Sequence, residues 1–306
     1  TEVPVNNGVS TEHIATNAIT SAKIVDDAIT VGKLDATAQS LSGRNVIING
    51  AMNVAQRSTS ETGLGASDGY FTIDRYMLVS ENTNGRLTMT QTAITDLPGF
   101  ANCLKLDCTT ADTSIAAGED LILVQSIEGQ NLQHFRKGTA DAKGFALSFW
   151  VKGDTNSTYA VEIFDGDNTR HICSLFDVTS TWTRVELNFD ADTTGALDDD
   201  NAASISVQFW LHAGSTYNGG TLQTTWAAKD NANRAVGADS FFASTDRNFF
   251  ITGLQLEAGD SCTEFEHEPF DQTYLKCERY YQKSHIHSEK PGQAQNGGSG
   301  TYLGAV

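Results

Sequence analysis

Two different rules place the apolar residues of this chain. In the first, the stretch Ile14 to Leu34, IATNAITSAKIVDDAITVGKL, repeats in ten-residue units. Pro4, Ile14, Ile24 and Leu34 open the units and Val9, Ile19 and Ile29 stand five residues further on. Five residues of an α-helix turn about 500°, so successive large side chains would land about 140° apart and form no stripe. On a single strand the odd spacing sends them to alternate faces. A unit that cannot bury its own side chains needs copies of itself, stacked along the chain or arranged around a symmetry axis. Residues 1–42 are therefore expected to form an elongated repeat shaft, with Val9, Ile14, Ile19, Ile24, Ile29 and Leu34 as its oligomerisation residues and threefold intertwining suited to the spacing. Taking Ile14, Ala18, Ala22, Val25, Ile29 and Ala36 as a seam of threes and fours gives a short coiled coil instead, which also implies an oligomer.

From about Asn45 the rule becomes alternation over short runs separated by Gly, Asp, Asn, Thr and Ser. NVIING, YMLVS, RLTMTQT, CLKLDCT, GFALSFWVKG, TYAVEIF, RHICSLFDV, TRVELNF, ISVQFWLH and FFITGLQLEAG read as strands, and IFDGDNTRHI as a hairpin turning at Asp165 and Gly166. So many short strands with almost no helical period predict a jelly-roll β-sandwich over 43–271. The fold class expected is all-β: a repeat shaft followed by a jelly roll, in a trimer. Residues 272–306 read as a connector and the start of a distal segment, and DQTYLKCERYYQK within them fits a helix or a strand. The stretch from Ala213 to Ser240 is too long for an ordinary connection and is expected to be a folded loop.

Composition narrows the partners. The 306 residues hold 20 Lys and Arg against 38 Asp and Glu, a net charge of −18, so nucleic acid and anionic membranes would be repelled. No apolar run approaches the roughly 20 residues that span a bilayer, so the chain reads as soluble with no membrane insertion. Cys103, Cys108, Cys173, Cys262 and Cys277 are odd in number and lack a C-x-x-C spacing, which reads as reduced thiols of a protein assembled in a cytoplasm. Both ends look cut from something longer. No nucleophile elbow, P-loop, zincin or dinucleotide motif is present, so no catalytic residue and no enzymatic activity is expected.

Alternation also singles out candidate binding residues. In ISVQFWLH, Ile205, Val207, Phe209 and Leu211 share one face and leave Ser206, Gln208, Trp210 and His212 on the other. In GFALSFWVK, Trp150 likewise falls on a polar face with Ser148 and Lys152. Pyranose rings stack on such aromatics while amides and carboxylates bond their hydroxyls. Trp150, Glu162, Gln208, Trp210 and His212 would form a glycan site if their strands share a sheet, and a subunit interface or a second core layer under a loop would want the same tryptophans. Trp182 reads as a structural plug, and Trp226, with Tyr217, as either a recognition residue or an anchor of the long loop. The acidic run Leu197 to Asn201 lacks the spaced ligands of an EF-hand and reads as a solvated turn.

Several stretches resemble the jelly-roll, carbohydrate-binding-module-like domains of bacteriophage tail fibres and other virion fibres. They are NVIINGAMNVAQRSTS, DRYML, LSFWVKG, TWTRVELNF, TTWAAKDNANRAVGADSFFASTDRNFFITGLQLEAGDSCTEFEH and CERYYQK, in that order over residues 45–283, and the decads look like the shaft repeats that precede such domains. The resemblance implies a homotrimeric virion appendage that, with other tail or fibre proteins, touches the host surface or builds the fibre reaching it; a host cell-surface glycan is the candidate ligand, and the resemblance does not itself name one. The alternatives are a purely structural segment or head-fibre connector, and a glycan-cleaving tailspike using two carboxylates among Glu162, Asp165, Asp167 and Glu186. No cofactor is expected apart from calcium. In related modules an N-x-x-x-N-G-x-F-E motif lends its Glu to a structural calcium, and here Met52 and Asn53 stand for Phe and Glu. That leaves Asn53 with Glu257 or Asp260 as the oxygen set. His285 and His287 read as solvent-exposed histidines; tripled on a threefold axis they would supply six imidazoles to a transition metal, an arrangement that some fibre tips resemble.

Overall fold

The computed structural model describes residues 43–283. The decad residues Val9, Ile14, Ile19, Ile24, Ile29 and Leu34, and the pair His285 and His287, lie outside them. The described chain is all-β, with twelve strands in two antiparallel sheets. They are β1 (Ser60–Leu64), β2 (Met77–Glu81), β3 (Arg86–Ala93), β4 (Asn102–Thr110), β5 (Asp120–Glu128) and β6 (Phe145–Lys152), followed by β7 (Ser157–Asp165), β8 (Arg170–Val178), β9 (Thr183–Phe189), β10 (Ala203–Ala213), β11 (Ala227–Ala228) and β12 (Asn248–Ala258). The first sheet runs β1-β3-β4-β12-β6-β9 and the second β11-β8-β7-β10-β5-β2.

The inner faces carry the alternating apolar positions. Phe145, Leu147, Phe149 and Val151 of β6 meet Ile205, Val207, Phe209 and Leu211 of β10 in one core. Phe149 packs edge-on against Phe176 and Phe209, with ring centroids 5.1 and 5.0 Å apart, the arrangement that ring quadrupoles favour. In β12 the buried parity changes from Phe249 and Ile251 to Leu254 and Leu256. The change happens at a bulge between Thr252 and Gln255, where Gly253 has φ +63°. A Cβ there would lie 2.8 Å from the Phe100 ring and 2.9 Å from Trp150, so glycine is needed twice over.

Nine of the ten segments expected to be strands are strands, and IFDGDNTRHI is the β7–β8 hairpin. NVIING is not a strand. Its asparagines satisfy the backbone themselves: Asn45 Oδ1 accepts from the N–H groups of Ile47 and Leu256, while Asn49 bonds both N–H and C=O of Val54. Asn49 and Met52 turn at φ +63° and +58°, so side-chain bonding replaces a ladder here. β5 lacks an alternating signal because almost all of it is buried on both faces.

DQTYLKCERYYQK resolves as a helix, α2 (Phe270–Glu278), after the four-residue α1 (Ser215–Asn218). The expected boundary at 271 thus falls inside α2. The residues after it pack on the sandwich: Arg75 lies under the Tyr280 ring at 3.4 Å, Arg57 under Tyr281 at 3.7 Å, and Arg279 forms a paired bond with Glu128. All five cysteines are free. Burial pushes the Cys277 and Cys103 thiols up to about 12, so they are packing residues rather than reactive ones. No helix among the described residues is long and apolar enough to cross a membrane.

Candidate functional site

The long connection from Ala213 to Ser240 lies across the outer face of the second sheet. It contains α1, the strand β11 paired with β8, and a turn of 3-10 helix at Asn231–Asn233 capped by Asp230. One carboxylate holds it down. Glu162, outward on β7 and fully buried, accepts from the Trp210 indole N–H at 2.8 Å, from Arg234 Nη2 at 2.9 Å and from Arg234 Nε at 3.0 Å, with His171 Nδ1 at 2.9 Å. Burial opposes its charge, yet the bonds from His171, Arg234 and Trp210 together hold its carboxyl below the usual range. The Asp230 N–H points at His171 Nε2, which makes that nitrogen the acceptor and leaves Nδ1–H to donate to Glu162. Arg234 also lies 4.5 Å over the Trp210 ring and bonds Gln208 Oε1 at 3.0 Å.

Beside this clamp runs a groove of about 390 Å³. Its floor is the outer face of β5 and β10, from Asp120, Ile122, Val124 and Ser126 across to Ser204, Ser206 and Gln208. Asp120 to Ser126 extends about 20 Å at the rise of a strand. Phe164 and Tyr217, both half-buried, line it on the side of the loop, Val79 lines it from β2, and Glu81 stands exposed at the Asp120 end. The floor sets the apolar Ile122 and Val124 of β5 beside the hydroxyl and amide groups of Ser204, Ser206 and Gln208 on β10, and the rings of Phe164 and Tyr217 are partly exposed.

The expected residues divide between the two sheets. Glu162, Gln208, Trp210 and His212 sit together on the second sheet, whereas Trp150 is on β6 of the first and faces away from them. Trp150 therefore belongs to no site with the others; it packs beside Gly253 and is half-buried. Trp210 is fully buried under the loop against Tyr217, at 5.1 Å between rings, which is the second-core-layer placement. It positions the clamp and cannot stack a sugar. His212 is also fully buried, bridging Glu119 at 3.1 Å and Ser240 at 2.8 Å, and burial keeps its pKa below the ordinary value, hence neutral. Gln208 alone of the expected ligand residues lines the groove. Trp226 anchors the loop: its indole donates to Asp190 C=O at 2.7 Å and its ring packs on Phe145. Phe164 and Asp120 do not emerge as groove residues from the sequence, although outward parity on β7 marks Phe164; Tyr217, named there with Trp226 in the long loop, does line the groove.

The proposed calcium ligands do not come together as a cation site. Asn53 Oδ1 accepts from Asn102, and Asp260 is exposed. Glu257 is already filled by donors: the Thr263 N–H at 2.7 Å, the Thr263 hydroxyl at 2.8 Å, Gln255 Nε2 at 3.0 Å, with Arg44 Nε at 4.0 Å. A guanidinium and three donors around one carboxylate do the work of a cation, so these residues do not fit calcium. Among the described residues Glu162, His171 and Cys173 have ligand atoms within 4.8 Å of one another, but Arg234 occupies the carboxylate. Of the four carboxylates considered for hydrolysis, Glu162 and Asp165 are fully buried and bonded to cations, Glu186 pairs with Arg184, and Asp167 accepts the Asp198 N–H in the exposed acidic turn.

No protein-family model and no curated protein matches the chain. Among solved structures it is similar to the family 11 carbohydrate-binding module of Clostridium thermocellum in complex with a mixed-linked tetrasaccharide, at 15% identity over 69% of this chain and 99% of that one, with a TM-score of 0.32. A family 30 carbohydrate-binding module matches at 10% identity over 75% and 94%, TM-score 0.34. The enzymatically active domain of bacteriophage CBA120 tailspike protein 4 matches at 12% identity, TM-score 0.35, over 70% of this chain but only 21% of that one.

Proposed function

We propose that residues 43–283 form a non-enzymatic glycan-binding module, and that the whole chain is a homotrimeric virion fibre subunit that carries the module to a host cell surface. The observation behind the first part is the groove: a 390 Å³ trough on an outer sheet face, with serine hydroxyls and the Gln208 amide along its floor and the partly exposed rings of Phe164 and Tyr217 in its lining. The second part is supported by the fibre-like sequence stretches and the decads, whose apolar spacing demands sibling chains. A structural fibre segment that leaves binding to other residues is the competing reading.

Affinity electrophoresis against a panel of soluble polysaccharides separates the two. Phe164→Ala together with Tyr217→Ala is expected to weaken retardation about tenfold, because each ring stack contributes about 0.5–1.5 kcal/mol beyond its buried area. Trp182→Ala, just before β9 and beside Phe250 of the first sheet, should leave retardation unchanged. Loss with Trp182→Ala and retention with the groove variants would move the site to the other sheet. Retardation by no polysaccharide would favour the structural segment. Sedimentation of the intact chain as a trimer tests the assembly separately.

A further inference from the structure

The groove has a polar end whose chemistry restricts the ligand further, an inference that rests on the glycan-binding reading above. Asp120, the first residue of β5, lines the groove and is only 4% exposed. One of its oxygens accepts from the Glu81 N–H at 3.1 Å. The other has no hydrogen-bond partner among the described residues, although almost every buried carboxylate in this domain is filled by donors. Glu81 stands beside it on the paired strand. The groove lining holds one cation, Arg234, and that guanidinium is already matched by Glu162. The wall therefore presents two carboxylates, one with an open acceptor, and no uncommitted positive charge.

We propose that this groove takes an oligosaccharide whose reading groups are hydroxyls or amines, neutral or amino-sugar in class, and rejects uronate or sialate chains, with Asp120 as the acceptor that fixes one end of the ligand. A sugar hydroxyl or ammonium donates to the open oxygen, while a carboxylate placed there meets two like charges in a partly desolvated trough. The groups facing Asp120 from the sheet are acidic, Glu81 on β2 and Asp68 in the turn before it, while from the loop come Tyr217 and Arg234, a cation that opposes them but is paired with Glu162. Burial pushes the Asp120 carboxyl up to about 6, against the Glu81 N–H bond, and the Glu81 and Asp68 carboxylates add to the rise. It is ionised at neutral pH and becomes a weaker acceptor as the pH falls through about 6.

The test is titration calorimetry of the full chain with three probes of matched length: a neutral β-glucan oligosaccharide, a chitosan oligosaccharide and an oligogalacturonate. Near neutral pH the neutral or amino probe should bind about tenfold or more tighter than the oligogalacturonate, the size of one bond to a charged group. Asp120→Asn should shrink that ratio to about threefold or less, and for the neutral probe so should lowering the pH of the wild type below about 6. The variant keeps the side chain's shape, and since a raised carboxyl pKa opposes folding above that pKa, it should melt no lower than wild type at neutral pH. Oligogalacturonate binding as tightly as the other probes, or an unchanged ratio in Asp120→Asn, overturns the assignment while leaving the glycan reading intact. Failure of all three probes, and of the polysaccharide panel, removes the glycan reading and this inference together.

Discussion

Arg234→Ala is expected to lower the thermal midpoint of the domain by about 10 °C and to abolish ligand binding in the groove. The reason is the carboxylate left behind. Glu162 is fully buried and Arg234 supplies three of its hydrogen bonds. Removing one partner of a buried pair costs about 3–5 kcal/mol because the other charge stays desolvated, and each kcal/mol moves the midpoint of a domain this size by about 2–4 °C. The same deletion frees Gln208 and releases the loop that carries Tyr217, so the groove loses floor and wall together.

The sign of the pH dependence distinguishes this account from simple loss of packing. In the wild type the Glu162 carboxyl is held below its ordinary range, so its contribution is present above the unfolded-state pKa and fades as the pH falls through the folded one. In Arg234→Ala the desolvation remains without the guanidinium, and Glu162 takes up a proton more readily. The variant's deficit should therefore narrow between neutral pH and pH about 5. Glu162→Gln placed in the Arg234→Ala background should recover part of the loss at neutral pH. Scanning calorimetry across pH checks both outcomes. A deficit independent of pH, with no recovery in the double variant, would mean that Glu162 is not the source.

The sequence carried the strands and their faces better than it carried the site. Period-two alternation put Phe209 inward and Trp210 outward correctly, since the pleat fixes parity. Alternation says nothing about what lies over an outward face. The 28-residue stretch from Ala213 to Ser240 was legible as a folded loop, but its descent onto β10 depends on Arg234 finding Glu162 across 72 residues, a pairing no local pattern marks. Sheet membership was hidden in the same way. β6 and β10 look alike in sequence yet join different sheets, which separated Trp150 from Trp210. Where local rules failed, the competing bond can be named: asparagine side chains took the place of a ladder at Asn45 and Asn49, and burial on both faces erased the alternation of β5.

Lys137→Met should destabilise the opposite end of the groove by a comparable amount. Lys137 Nζ is fully buried, 2.5 Å from Asp165 Oδ2 and 3.0 Å from Asp192 Oδ2, and it donates to the Thr194 and Gly195 carbonyls at 2.9 and 3.0 Å. Methionine fills similar volume but leaves Asp165 fully buried with only Asn168 donors, while Asp192 keeps Arg170. The loss is expected at about 3–5 kcal/mol, seen as a midpoint lower by about 10 °C. Asp165 ends β7 and, through its bond from the Asn168 N–H, sets the turn into β8, next to the groove residues Phe164 and Gly166. Hydrogen exchange in residues 166–169 should accelerate well before global unfolding, and glycan affinity should fall with it because the Phe164 wall loses its support. Asp165→Asn in the same chain should restore much of the midpoint by removing the uncompensated charge. A Lys137→Met protein that melts within about 2 °C of wild type, under a degree per kcal/mol of the expected cost, would show that the turn is held by its backbone alone and that the buried triad contributes nothing to the groove.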